Sequence, residues 1–329
     1  MNQFWKEMGI SMIMGLLVPA VVLSVVVSIA RNRSVLLTPQ EETIFETTVS
    51  AQTEPLEDTR ILVLSEESQT IEMELCDYLT GVVLAEMPVS FEDEALKAQS
   101  VVARTYIIRA SKGASKHDSA AVCMDSACCQ GYLAPDTFLI KGGNERDVQR
   151  IRELIAETAG EVLTYEGELI EATYFSCSGG VTEDAVAVWG ADVPYLQSVE
   201  SPGEEQAAHY TDTVTFSAEE FASRLGISLT GRPSGWFSNI TYTEGGGVAS
   251  IKIGTESFSG TQLRRLLGLR STAFEIATED DSISVTTRGY GHRVGMSQYG
   301  ANAMAASGST YGEILTYYYQ GTQLTAYTD

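Results

Sequence analysis

Gly81-Val-Val-Leu-Ala-Glu-Met-Pro88 fixes where a helix must end, and it puts one carboxylate at that end. The residue before a proline is pushed out of the helical region, so Met87 leaves the helix and Glu86 lies in its last turn. A helix C-terminus disfavours a further negative charge, and apolar neighbours keep water away from the side chain. Both effects favour the protonated form that a general acid needs near neutral pH. Glu86 is therefore our candidate catalytic acid, and the alternative is a solvated glutamate at a helix end.

The segments on either side of this stretch predict short strands followed by helices. Residues 60–64 and 71–73 are typical of a hairpin, and residues 75–85 form the helix that ends near Glu86. Ser90-Phe-Glu-Asp93 resembles a capping box, which predicts that the next helix starts at Ser90.

Later segments continue the mixture of strands and helices. Ser217 caps a helix over residues 217–225, and residues 236–258 alternate about a turn at Gly245-Gly-Gly247, which predicts a hairpin. Strands and helices do not alternate regularly, so a doubly wound sheet is disfavoured. We expect an α+β fold with antiparallel-rich sheets around a substrate groove, preceded by one transmembrane helix.

The N-terminal part differs from the rest in composition. Residues 8–30 are apolar for 23 residues, which is long enough to span a bilayer. A signal peptide cleaved after Ser28-Ile-Ala30 is the alternative, but the apolar run is long for that role. We divide the chain into a cytoplasmic tail (1–7), a membrane anchor (8–30), a flexible linker (31–59) and a folded domain (60–329).

The chain is strongly acidic, with a formal charge of -23 from 21 basic and 44 acidic side chains. It has no basic stripe interleaved with aromatic residues, which argues against nucleic-acid binding. An acidic protein is also repelled by anionic polymers, so attachment to a cell wall would need specific contacts in a groove.

Three further segments supply candidate binding residues. Arg104 lies on a helix that is predicted to be buried, so it should meet a carboxylate, backbone carbonyls or a ligand; we expect it to orient substrate or a neighbouring loop, with an internal salt bridge as the alternative. Ser176 and Ser178 lie in a glycine-containing turn after an apolar strand, where their hydroxyls could bind a polar ligand or only shape the turn. His292 lies in a glycine-rich loop that could hold a polar ligand, although a structural histidine is the common case.

Three of the five cysteines lie in an irregular polar segment together with a histidine. His117, Cys123 and Cys129 follow a His-x5-Cys-x5-Cys spacing that can fold around a zinc ion. Three protein ligands would leave a fourth position for water or substrate. A disulfide in an exported protein is the alternative, although adjacent Cys128 and Cys129 would not bridge each other without strain.

Four motifs in order make the chain similar to a known family. They are Glu86-Met-Pro, the helix carrying Arg104, Ser176-x-Ser-Gly-Gly-x-Thr182 and Gly291-His-x-x-Gly-Met-Ser-Gln-Tyr-Gly300. Together they resemble the stage II sporulation protein D family, to which amidase-enhancer proteins are related. In that resemblance Glu86 matches the catalytic acid, and Arg104 and Tyr195 match positions associated with activity. Family members often carry a lysine where this chain has Gln197. Some clostridial relatives carry a zinc site that His117, Cys123 and Cys129 match by spacing.

The resemblance implies a membrane-anchored lytic transglycosylase that cuts peptidoglycan glycan strands while the forespore is engulfed. Its expected location is the mother-cell membrane facing the forespore, with the folded domain outside the cytoplasm. Its expected partners are the engulfment amidase and a multi-spanning membrane protein. Two alternatives stay open: a non-catalytic murein-binding protein that enhances an amidase, and a hydrolase that uses a second carboxylate such as Glu171 or Glu183.

Overall fold

Two hydrophobic cores organise residues 59–327, the part of the chain that the computed structural model describes. The larger core takes side chains from residues 61–199 and 294–319, and the smaller core takes them from residues 216–285. The smaller core therefore belongs to a lobe inserted into the chain of the larger one. In chain order the helices are α1 (Leu75–Glu86), α2 (Asp93–Arg109), α3 (Pro135–Ile140), α4 (Glu145–Glu157), α5 (Ala185–Trp189), α6 (Ala218–Leu225), α7 (Gly260–Leu267), α8 (Gln298–Ala306) and α9 (Tyr311–Tyr318).

The strands form several small sheets in which most neighbours are antiparallel. Within residues 59–327 the strand orders are β2-β1-β3, β14-β4-β5 and β13-β6 around the larger core, and β11-β12-β7 and β10-β9-β8 in the inserted lobe. Only the β1–β3 and β6–β13 pairs of these strands are parallel. This confirms the expected mixed fold with antiparallel-rich sheets. The strands are β1 (Arg60–Leu64), β2 (Thr70–Glu74), β3 (Val122–Cys123), β4 (Glu161–Tyr165), β5 (Glu168–Leu169), β6 (Tyr174–Phe175), β7 (Thr211–Ser217), β8 (Phe237–Tyr242), β9 (Val248–Ile253), β10 (Glu256–Ser259), β11 (Ala273–Glu279), β12 (Ser282–Arg288), β13 (Met296–Ser297) and β14 (Gln323–Ala326).

The end of α1 and the start of α2 test the local sequence signals. Met87 is extended (φ -125°, ψ 142°), so the helix ends at Glu86 as the following proline predicts. The prediction of a capping box at Ser90 is wrong, because α2 begins three residues later and its N-cap Glu92 makes no side-chain capping bond. The amide of Glu92 instead donates to Asn302 Oδ1 at 2.8 Å, so a distant side chain takes over the role expected of a local cap.

A glycine-rich loop, residues 289–295, joins the two lobes through one buried arginine. Arg293 is 2% exposed and sits in the left-handed region at φ 67°. It donates to Glu183 Oε1 at 3.1 Å, to the Ser178 carbonyl at 2.6 Å and to the Gly245 carbonyl at 2.5 Å. Gly245 belongs to the turn between β8 and β9, so this guanidinium holds the inserted lobe against the larger one.

The predicted membrane segment cannot be compared with the structure. The tail (1–7), the anchor (8–30) and the linker (31–59, apart from its last residue) lie outside the described residues. Among residues 59–327 no helix has both the length and the apolar character needed to cross a bilayer.

Candidate active site

An open groove of about 1030 Å³ runs along the larger lobe and reaches the inserted one. Its floor holds Glu86 at the end of α1, Tyr174 on β6 and Gln298 at the start of α8, and Arg264 of α7 reaches in from the inserted lobe. Exposed aromatic faces flank it, since Trp189 is 44% and Tyr290 is 40% exposed. The other residues on its walls are Glu66, Ala85, Tyr106, Lys116, Met124, Ser126, Ala127, Cys128, Cys129, Gly131, Tyr132, Glu171, Ala172, Thr173, Phe175, Ser176, Gly291 and His292.

Glu86 is half-buried, and both of its carboxylate oxygens accept hydrogen bonds. The Gly131 amide donates to Oε1 at 2.6 Å, and Gln298 Nε2 donates to Oε2 at 3.4 Å. A Cβ at position 131 would lie 2.9 Å from Oε1, so only glycine allows this approach without displacing the carboxylate. The carboxylate is therefore fixed in the groove by two elements that are distant from it in sequence.

A cluster of polar side chains lies beside Glu86. The Tyr174 hydroxyl is buried and makes no hydrogen bond of good geometry among the described residues. Burial and then the charge of Glu86 raise its pKa well above the usual range, so the hydroxyl stays protonated and can donate. Next to it, the Tyr78 hydroxyl donates to Gln130 Oε1 at 3.3 Å. The Tyr174 hydroxyl therefore stays neutral beside Glu86 and adds no second negative charge there.

His292 lines the groove between Phe175 and Trp189, with ring centroids 5.6 and 5.4 Å away. Its Nδ1 accepts a hydrogen bond from the Val294 amide at 3.1 Å. Burial first, and then the positive charge of Arg264, lower its pKa to about 4. The imidazole is therefore neutral at pH 7 and contributes a surface to the groove rather than a charge. His292 thus lines the groove, and its contact with substrate stays a prediction.

The two predicted serines have different environments. Ser176 is half-buried and lines the groove. Ser178 is fully buried, and its hydroxyl donates to Glu204 Oε2 at 2.8 Å, so the prediction that it binds substrate is wrong. Glu204 also accepts hydrogen bonds from Ser201 and Ser297. One buried carboxylate thus ties the serine–glycine turn to the start of α8.

Arg104 and Tyr195 do not line the groove either. Arg104 is 0% exposed, and its guanidinium donates to the Ile155 carbonyl at 3.1 Å and to the Glu161 carbonyl at 3.2 Å. The predicted contact with substrate is therefore wrong, because Arg104 is buried and binds the neighbouring loop between α4 and β4, which was the other role expected of it. The Tyr195 hydroxyl accepts from the amide of Glu171 at 2.9 Å, so Tyr195 supports a groove-lining residue from behind.

The predicted metal ligands lie together, and a fourth joins them. The ligand atoms of His117, Cys123, Cys128 and Cys129 are all within 4.8 Å of one another. His117 Nε2 is 3.4 Å from Cys129 Sγ and 3.7 Å from Cys128 Sγ, and the two sulfurs are 3.9 Å apart. Tetrahedral ligands at metal distances of about 2.0–2.3 Å would be separated by roughly 3.3–3.8 Å, so the cluster fits a zinc-sized ion.

This arrangement bears on both expectations for the cysteines, the zinc site and the disulfide. None of the five is in a disulfide. With Cys128 as a fourth ligand, a tetrahedral ion would have no open position, contrary to the three-ligand expectation. The cluster borders the groove through Cys128 and Cys129, and Cys129 is two residues from the Gly131 amide that holds Glu86.

Comparison with known proteins shows which family the chain belongs to. Residues 65–165 match the family model described as Stage II sporulation protein. The stage II sporulation protein D of Bacillus subtilis is 43% identical over 263 residues, which cover 78% of this chain and 76% of that protein. The chain belongs to the stage II sporulation protein D family.

Other relatives extend the comparison. The stage II sporulation protein D of Bacillus amyloliquefaciens is 41% identical over 253 residues, covering 75% of this chain and 73% of that protein. An amidase enhancer of Bacillus subtilis is 31% identical over 309 residues, covering 76% of this chain and 40% of that protein.

In this stage II sporulation protein D family member, several residues of the site were missed by reasoning from sequence. Gly131 and Gln298 contact Glu86 from 45 and 212 residues away. No local pattern marks Gly131, and the Gly291–Gly300 motif that contains Gln298 did not indicate a contact with Glu86. Arg264 lies on an unremarkable amphipathic helix and reaches the groove only because the lobes meet there. Cys128 was visible in the sequence, and its proximity to His117 could have suggested a fourth ligand.

Proposed function

We propose that this protein is a lytic transglycosylase that cleaves the MurNAc–GlcNAc bond of peptidoglycan glycan strands during engulfment. The observation that carries the proposal is the half-buried Glu86 carboxylate, held by two N–H donors in a groove with exposed aromatic flanks. Aromatic faces suit the C–H surfaces of sugars, and a single positioned carboxylate suits a reaction that needs one proton donor.

The proposed reaction uses Glu86 twice. In its acid form Glu86 protonates the glycosidic oxygen, and the bond from that oxygen to C1 of muramic acid breaks. The 6-hydroxyl of the same sugar then bonds to C1 and loses its proton to the Glu86 carboxylate. The products are a GlcNAc hydroxyl end and a 1,6-anhydro muramic end, and the acid is regenerated without water.

A hydrolase would usually need a second carboxylate at a set distance. Of the two earlier candidates, Glu183 is 1% exposed and paired with Arg293, which removes it from the groove. Glu171 lines the groove, and a second carboxylate is therefore available if the reaction uses water. A Glu171→Gln variant that keeps full cleavage would favour the single-carboxylate reaction.

We also propose that His117, Cys123, Cys128 and Cys129 hold a zinc ion with a structural role. When bound, the ion would neutralise and cross-link the thiolates of a loop that has little apolar core of its own. It takes no part in the bond changes. Its effect on Glu86 would be indirect, through Gln130, the one residue between Cys129 and Gly131, whose amide binds Glu86.

The remaining features of the proposal concern location and partners. Residues 8–30 would anchor the protein in the mother-cell membrane, with residues 60–329 facing the forespore across the linker. An engulfment amidase that strips stem peptides and a multi-spanning membrane protein would work with it. Nucleic acid is not an expected partner.

A non-catalytic role is the second candidate, because an amidase enhancer is 31% identical to this chain. Such a protein would bind murein in the same groove and stimulate a partner enzyme. The two roles separate in one comparison: the full chain and its Glu86→Gln variant are incubated with peptide-free glycan strands, and the fragments are analysed by mass spectrometry. Anhydro ends from the parent alone would support the lyase, whereas no cleavage by either folded protein would favour the enhancer.

A further inference from the structure

A second cavity adjoins the groove in the inserted lobe. It measures about 430 Å³ and shares Arg264 and His292 with the groove, so the two are continuous. Its other lining residues are Val188, Thr261, Arg265, Gly268, Leu269 and Thr272. No acidic residue is among the described residues that line it, although the chain carries 44 acidic side chains.

Arg264 differs from three nearby arginines that form ion pairs, and from Arg265 and Arg232, which are exposed. Arg270, Arg288 and Arg293 each pair with a carboxylate, at 3.0, 2.6 and 3.1 Å. Arg264 is half-buried, and burial lowers its pKa; within the described residues only the Tyr290 hydroxyl opposes that shift, and no carboxylate does. A partly desolvated guanidinium is costly without an anionic partner.

The geometry leaves the charge of Arg264 available to a ligand. Its Nε donates to the Arg270 carbonyl at 3.2 Å, and this hydrogen bond holds the guanidinium in place. The side chain lines both cavities. Exposed Arg265 on the same helix adds a second positive charge, and neutral His292 adds none. Arginine binds planar carboxylates with two parallel hydrogen bonds.

We propose that Arg264 forms a subsite for a carboxylate carried by the glycan substrate, a proposal that rests on the function proposed above. In a peptide-free strand each muramic acid carries a free lactyl carboxylate, and this group is exposed only after an amidase has hydrolysed the bond to the stem peptide. In an uncut strand the lactyl group is an amide, and carboxylates occur on the peptide instead.

The test measures binding rather than cleavage, using the full chain with Glu86→Gln so that the ligand survives. Three sets of GlcNAc–MurNAc oligomers are compared: free lactyl carboxylates, neutral lactyl methylamides, and intact stem peptides. We expect the free carboxylates to bind about tenfold or more tightly than the methylamides. Adding Arg264→Gln should abolish this difference in affinity, and Arg264→Lys should retain part of it. The control is Arg232→Gln, which changes an exposed arginine away from both cavities and should leave the difference in affinity unchanged.

Each outcome has a defined meaning. Unchanged binding of the neutral glycan by the Arg264→Gln variant shows that its groove is intact. An Arg264-dependent preference for the peptide-bearing oligomers alone would assign the subsite to peptide carboxylates. Equal affinities for all three ligands, or a preference that survives Arg264→Gln, would overturn the proposal.

Cleavage by the protein with Glu86 intact is measured in parallel. Cleavage without charge discrimination would contradict only the subsite, and discrimination without cleavage would contradict only the lyase. If no oligomer binds, both fail.

Discussion

Arg104 carries a full charge with no exposed surface, so its hydrogen bonds decide what its loss would cost. Its partners are carbonyls of Ile155 and Glu161 and the Thr158 hydroxyl, which lie where α4 turns into β4. Without it the Glu161 carbonyl and the Thr158 hydroxyl oxygen would each lose a charged donor, whereas the Ile155 carbonyl would keep its hydrogen bonds from Thr158. A residue associated with activity in the family can therefore act by holding the fold that carries the groove.

We predict that Arg104→Gln lowers the free energy of unfolding by about 3 kcal/mol, because these acceptors lose their charged donor. Chemical denaturation measures this change. The matched control is Arg152→Gln, which breaks an exposed pair with Asp77 at 3.4 Å and should cost less than about 1 kcal/mol. Unchanged stability combined with lost glycan cleavage would instead make Arg104 a substrate contact.

The lowered pKa of His292 predicts how the stability of the protein depends on pH. Its pKa is about 4 in the folded protein and about 6.5 in an unfolded chain, so the unfolded state binds more protons between these values. Its contribution to stability is complete above about pH 6.5 and is lost as the pH falls toward 4. The His292→Gln variant should therefore lose less stability over this range than the parent, by on the order of 2 kcal/mol. Identical pH profiles of unfolding would show that the imidazole is not held neutral.

At the scale of elements, the end of α1 and the loop after the cysteines together position the proposed catalytic carboxylate, because the Gly131 amide binds Glu86. Gly131→Ala would put a Cβ 2.9 Å from Glu86 Oε1 and push the carboxylate aside. We predict a loss in kcat of about 100-fold with little change in melting temperature. Gly312→Ala in α9, where an added Cβ meets nothing within 4 Å, should leave both unchanged. Full activity of Gly131→Ala would contradict the assigned position of Glu86.

The cluster of His117, Cys123, Cys128 and Cys129 leads to a separate prediction about zinc affinity. If four residues bind zinc, Cys128→Ser should weaken zinc binding at least about tenfold in a chelator competition, and it should lower the melting temperature. Cys76→Ser, outside the cluster, should have no effect on zinc affinity. Equal affinity of the Cys128→Ser variant and the parent would restore the three-ligand site with one open position.

Local elements could be predicted from the sequence, whereas the site could be predicted only in part. Ser217 caps α6 by accepting from the Glu220 amide, and the Gly245–Gly247 turn joins β8 to β9, because both signals are contained in a few neighbouring residues. The start of α2 was missed because its capping partner, Asn302, is about 210 residues away. Glu86 and the metal ligands could be identified by type and spacing, but the roles of Ser178, Arg104 and Arg264 depend on contacts between distant segments.

At the scale of the whole molecule, a chain of charge -23 is proposed to act on an anionic polymer. Long-range repulsion would oppose that encounter, so the proposed binding would rely on local groove contacts. The aromatic flanks and the Arg264 guanidinium, which forms no ion pair within residues 59–327, could provide them. Both lobes contribute to these contacts, which makes the Arg293 link between them a condition for function.

The central claim is that Glu86 drives bond cleavage in which the substrate's own 6-hydroxyl, and not water, attacks C1. The direct measurement is mass spectrometry of peptide-free glycan strands cleaved by the full chain in water enriched in oxygen-18. We predict that the parent produces 1,6-anhydro muramic ends that carry no oxygen-18. The Glu86→Gln variant should produce no such ends. Reducing ends that carry oxygen-18 at C1 would contradict the account and make the protein a hydrolase.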